Sequence, residues 1–104
     1  MKTFAEETRI RQVDEGLAIW RKANLPRRPP QGWIKTIRMA LGMTSSALAQ
    51  RVGDVSDSAI RKLELAEAED AITLASLRRV AEALDCELQY ALIPRQPLKQ
   101  MLLE

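Results

Sequence analysis

Between Trp33 and Leu84 the chain is cut into four short helical stretches, each marked off by a residue that starts or stops a helix. Trp33 to Leu41 sets Ile34, Ile37 and Leu41 on one face and stops at Gly42. Thr44 is placed to cap a helix from Ser45 to Val52, which stops at Gly53. Ser56 is placed to cap another, from Asp57 to about Leu65, with Ile60 and Leu63 turned inward. Thr73 is placed to cap a fourth, whose stripe is Leu74, Leu77, Val80 and Leu84. Helices this short are marginal in water alone, so they must share one core.

A chain of 104 residues holds one modest core, and an apolar share of 46% is enough to fold it. Before the short helices, Thr3 to about Lys22 reads as a longer one. Thr3 and Glu6 fit a capping box, and Ile10, Val13, Leu17 and Trp20 recur at spacings of three and four. Leu25 to Gly32 carries three prolines and reads as a linker that presents Arg27 and Arg28 in extended backbone. After Asp85, the alternation of Cys86, Leu88, Tyr90 and Leu92 with polar or small neighbours favours a strand ending at Pro94. The same residues also fit a helical stripe through Leu84, Leu88 and Leu92. A strand here has no sister in the chain, and a second protomer or another protein is where its mate is expected. Leu98 to Leu102 has the makings of one apolar-faced turn. The expected segments are therefore 1–24, an N-terminal helix; 25–32, the linker; 33–85, the helical domain; and 86–104, a strand and tail that meet a dimer mate or partner.

Charge is distributed unevenly. From Arg21 to Lys62 there are nine basic residues and two acids, Asp54 and Asp57; from Leu63 onward, four basic residues face eight acids. A basic middle beside an acidic end suits a polyanion on one face and another partner elsewhere, although a solvated mixed surface gives the same count. The chain has no histidine and one cysteine, Cys86, which removes histidine acid–base catalysis, Cys/His zinc sites and an internal disulfide. No nucleophile–base pair, metal cluster or phosphate loop is visible, so no enzyme, cofactor or metal is expected. The N-terminus lacks the apolar core of a signal peptide, and no run approaches the ~20 apolar residues of a membrane span. The expectation is a cytoplasmic, soluble protein.

Leu41 to Glu64 carries the functional information. Two short helices meeting steeply need a small residue where they touch, here Ala49, and a turn residue tolerant of positive φ, here Gly53. Leu48, Val52, Ile60 and Leu63 would lock the pair. This run resembles the phage-repressor (Cro/cI-like, Xre) helix-turn-helix family over about Trp33 to Leu84, through the Leu41-Gly42 turn, the Leu48-Ala49 pair and Leu63-Glu64. The resemblance implies a mainly α, lambda-repressor-like bundle, here with an extra N-terminal helix and a short C-terminal strand. It implies a homodimeric repressor on a pseudo-palindromic operator in double-stranded DNA. Base-reading residues carried over are Ser56, Asp57, Ser58, Arg61 and Lys62. Arg61 or Lys62 suits guanine O6 and N7, and Asp57 a cytosine amine; the bland alternative for the two cations is a solvated helix face.

Phosphate contacts are expected from Thr44, Ser45, Ser46, Arg51 and the helix N-termini. Arg27 and Arg28 stand either as an arm along the DNA or as a soluble linker. The resemblance also pairs Arg38 with Glu64 as a structural ion pair. The chain departs from the family by one extra residue in the turn, Gly53-Asp54-Val55, and by Ser45 where glutamine is common. A protein-binding helical module that no longer binds DNA is the alternative.

Arg28 to Ile34, Ile72-Thr73-Leu74 and Tyr90 to Pro94 further resemble a bacterial group called mobile mystery protein A, typically encoded beside a Fic-domain, AMP-transferring toxin. This implies an antitoxin and autorepressor, with Glu15 and Trp20 as candidate toxin contacts. The nearest match to a Fic-inhibiting helix, Arg11 with Glu15-Gly16, lacks the hydroxyl of that motif.

Overall fold

The computed structural model describes residues 3–102. Met1, Lys2, Leu103 and Glu104, the outermost positions of the expected 1–24 and 86–104 segments, lie outside the described residues. Among the described residues six helices follow in order: α1 Phe4–Ala23, α2 Trp33–Ala40, α3 Ser45–Val52, α4 Asp57–Ala68, α5 Leu74–Ala83 and α6 Leu98–Leu102. They fall into two units, one holding α1 and α6, the other running Arg27–Gln89. Among the described residues, none of the helices is long and apolar enough to cross a membrane.

Helix starts follow local side-chain chemistry. Thr3 and Glu6 form a reciprocal capping box on α1, each bond 3.1 Å. Thr44, Ser56 and Thr73 each accept the backbone N–H three residues on, at 3.0 to 3.1 Å, and so open α3, α4 and α5. The first unit also has a cap from a distance. Asp14, midway along α1, accepts Leu98 N at 2.7 Å and Lys99 N at 3.2 Å, holding the start of α6.

The second unit closes around Ile34, Leu48, Ala49, Ile60, Val80 and Leu84, all buried, with Ile37, Met43, Val52, Val55, Leu63, Ile72 and Leu77 packed against them. Two residues of the expected stripes point elsewhere. Leu41 is the C-cap of α2 and is exposed, and Leu74 begins α5 and is also exposed, because the last and first residues of a helix extend past the layer it covers.

The expected C-terminal strand does not form: among the described residues there is no strand, and Cys86 to Ile93 follows neither strand nor helix. Cys86 N bonds back to Ala81 O at 2.8 Å, ending α5, and the chain beyond finds no second strand to complete a ladder. Tyr90, Leu92 and Ile93 are left exposed. Conversely, α4 runs one turn further than Leu65, to Ala68.

Candidate nucleic-acid interface

The second unit places α3 and α4 side by side, with Leu48, Ala49 and Ile60 buried between them and the core. The turn that joins them, where one residue more than the family pattern was expected, has two consecutive left-handed backbones, Gly53 at φ 87 and Asp54 at φ 58. Glycine adopts this conformation without strain and aspartate tolerates it better than most residues. Gly53 N closes α3 on Ala49 O at 2.9 Å, while Gly53 O accepts Arg79 Nη2 at 3.1 Å, so α5 holds the turn. That role for Arg79 was not legible in sequence, since nothing local joins it to Gly53.

Helix α4 has two contrasting faces. Ile60, Glu64 and Glu67 are buried, whereas Ser58, Arg61, Lys62 and Leu65 are exposed at the i, i+3, i+4, i+7 spacing of a single helix face. At its start Ser56 Oγ lies 3.0 Å from Ser58 Oγ as well as capping Ala59 N. Asp57 and Arg61 form an exposed ion pair, Nη1 to Oδ2 2.9 Å, one turn apart. Four of the candidate base readers thus engage one another in two pairs. Lys62 beside them stays exposed. Leu65, not expected at this surface, extends the face with an apolar tip.

The other candidates are distributed around this face. Thr44 and Ser46 are exposed at the N-terminus of α3, with Ser45 half-buried between them, and Arg51 is exposed in its last turn. Thr44 Oγ1 accepts the cap bond and keeps its O–H to donate. Arg27 is exposed, but Arg28 is held within the fold. Its Nη2 reaches Ala68 O at 3.1 Å and Asp70 Oδ1 at 2.7 Å, and Nη1 reaches Pro29 O at 3.2 Å, so it binds the C-terminal end of α4. On α1, in the other unit, Glu15 is exposed and Trp20 half-buried. Among the described residues no cluster of acidic or cysteine side chains could hold a metal.

Two carboxylates on the inner face of α4 hold α2. Glu64 takes Arg38 in a two-point bond, Nε to Oε2 2.7 Å and Nη2 to Oε1 3.1 Å, and Arg38 Nη1 donates to Met43 O at 2.9 Å. The hydrogen bond to Glu64 raises the Arg38 pKa above the ordinary guanidinium value, and burial opposes this without cancelling it. One turn on, Glu67 accepts Trp33 N at 3.0 Å and Ile34 N at 2.9 Å, capping α2 from across the core. Gly32 lies at φ 89, where a Cβ would stand 2.6 Å from Glu67 Oε1. The spacing of Glu64 and Glu67 on an otherwise apolar face was the one sequence signal that could have revealed this second clamp.

The family model described as Helix-turn-helix matches residues 34–90, more than half of the chain, spanning α3 to α5 and all of α2 but Trp33. No curated protein and no solved structure matches the chain.

Proposed function

The chain belongs to the helix-turn-helix family of the phage-repressor kind, and from that membership we propose that it is a sequence-specific DNA-binding repressor acting as a homodimer on a pseudo-palindromic operator. The observation that carries this is the two-faced α4. Its inner face is fixed to the core by buried residues, and its outer face presents Ser58, Arg61, Lys62 and Leu65 to solvent. A helix rigidly seated and polar outward is suited to a major groove about 12 Å wide. In this reading Arg61 and Lys62 donate to base edges, with Ser56, Asp57 and Ser58 completing the start of the reading helix. Asp57 holds Arg61 in the free protein and yields it to a guanine. Thr44, Ser45, Ser46, Arg51 and Arg27 bind phosphates, and Arg28 stays with α4.

Half-sites are expected about one helical turn (~34 Å) apart, with affinity falling steeply as salt rises, because neutralising phosphates releases counterions. Lys62→Ala or Arg61→Ala should relax preference at one base pair, costing roughly 1–3 kcal/mol, while Arg51→Ala weakens all sequences alike. Selection of bound fragments from random DNA, followed by titration at several salt concentrations, measures both. A protein that ignores sequence and salt is the protein-binding module instead.

The finer reading, an antitoxin that neutralises a Fic-domain toxin and represses its own gene, draws its support from the resemblance of Arg28 to Ile34 and Tyr90 to Pro94 to mobile mystery protein A. Glu15, exposed on α1, and the half-buried Trp20 are the contacts it implies. Co-expression with the neighbouring gene product should then give one complex on size exclusion, lost in Glu15→Arg with DNA binding intact. Separate peaks and undiminished toxicity leave a repressor alone.

A further inference from the structure

Among the described residues every buried one lies between Gly32 and Leu84, and the twenty residues of α1 contribute none. Yet α1 carries the stripe Ile10, Val13, Leu17 and Trp20, of which Ile10, Leu17 and Trp20 are only half-buried and Val13 is 44% exposed. A helix with no buried residue gains little from packing, and water alone does not hold such a stripe favourably. Exposed Tyr90, Leu92 and Ile93 enlarge the apolar surface of the same unit.

The charges beside the stripe say what covers it. Acids stand in the first turn, Glu6 and Glu7, and bases in the last, Arg21 and Lys22. Glu7 and Arg21 are fourteen positions apart, close to four full turns, so they share one edge of the helix. Arg21 gives Nη2 to Pro94 O at 3.2 Å.

We propose that α1 is the dimerisation element of this protein and packs antiparallel on α1 of a second copy, with the two-fold axis passing next to Val13. This deepens the homodimer of the operator reading by assigning its interface. In that register Ile10 seats against Leu17 of the second copy. Glu6 and Glu7 meet the second copy's Arg21, and side chains interlock at the 8–10 Å separation of packed helices. A parallel pairing sets Glu6 and Glu7 against their own copies and Arg21 against its own, which like charges oppose. The acidic first turn and basic last turn also suit the helix dipole, and antiparallel dipoles attract.

The test reads mass in solution without DNA. The full-length chain should run by light scattering at twice the single-chain mass, and Val13→Asp, which faces two carboxylates across the axis, should run as a single chain with its helical circular-dichroism signal kept. In a Cys86→Ser background, Val13→Cys should form a covalent dimer on oxidation and Ile10→Cys should not, since a disulfide needs the two Cβ atoms within about 4.5 Å. A monomeric parent chain, a Val13→Asp dimer, or cross-linking at Ile10 in place of Val13 overturns the proposal. If Val13→Asp loses helix, the cross-linking pair decides. A cross-linked dimer that ignores operator DNA would count against the DNA reading and leave this interface standing. A monomer that binds operator would do the opposite.

Discussion

Truncating Glu67 to alanine is expected to lower stability by about 3–5 kcal/mol, a large part of the 5–15 kcal/mol that holds a small domain together. Glu67 is 4% exposed and both its oxygens are engaged by the first backbone N–H groups of α2. Removing it leaves two donors without partners inside the fold, each worth about 1–3 kcal/mol, and takes a negative charge away from a helix N-terminus. Glutamine should recover little, because only one of its two terminal atoms accepts a hydrogen bond and the amide would face the other N–H. Gly32→Ala should act through the same contact, since its Cβ would displace the carboxylate from 2.6 Å and strain the backbone at φ 89. Thermal unfolding followed by circular dichroism measures all three, and an E67Q protein melting with the parent would show that the second oxygen is idle.

The pair of Arg38 and Glu64 should show the strongest coupling in the molecule. Their side chains are 13% and 6% exposed, so losing either partner leaves a charge in a nearly dry site, at about 3–5 kcal/mol. Arg38→Met with Glu64→Leu together should cost much less than the two singles added, since the packed apolar pair has no charge to strand. Arg38 also ties Met43 O, so the Arg38 side of the cycle should carry an extra loss of about 1 kcal/mol from that neutral acceptor. Singles that add without coupling would mean that solvent reaches the pair and screens it.

What the sequence discloses follows the range of the interactions. Thr3, Thr44, Ser56 and Thr73 act on backbone three residues away, so their caps were readable at once, as were the stripes through Ile34, Leu48, Ile60 and Val80. Contacts spanning the fold were not. Gly32 looks like the end of a proline linker until Glu67 is seen above it, and Arg28 looks solvated until its guanidinium is found on Ala68 O and Asp70. Arg79 reaches Gly53 across 26 positions with no local trace. At Cys86 to Ile93 the difficulty is different. Alternation records which side chains prefer water, but a ladder also needs a second backbone, and one chain's pattern does not supply it. In the interface, α4 was found because the helix pair is a local arrangement. Leu65 was missed because an apolar residue at the end of an amphipathic stretch reads as core.

The division of α4 into a fixed and a free face has an evolutionary consequence. Ile60, Leu63, Glu64 and Glu67, which tie this helix to the fold, point one way, and the base readers proposed for it point the other. Residues 58, 61, 62 and 65 are exposed, so substitutions there are nearly neutral for stability, commonly within about 0.5 kcal/mol. A lineage carrying this scaffold is therefore free to exchange one operator for another by single steps, without first acquiring a compensating mutation. Paralogues that diverge in target should differ at those four positions and agree at Gly32, Arg38, Glu64 and Glu67.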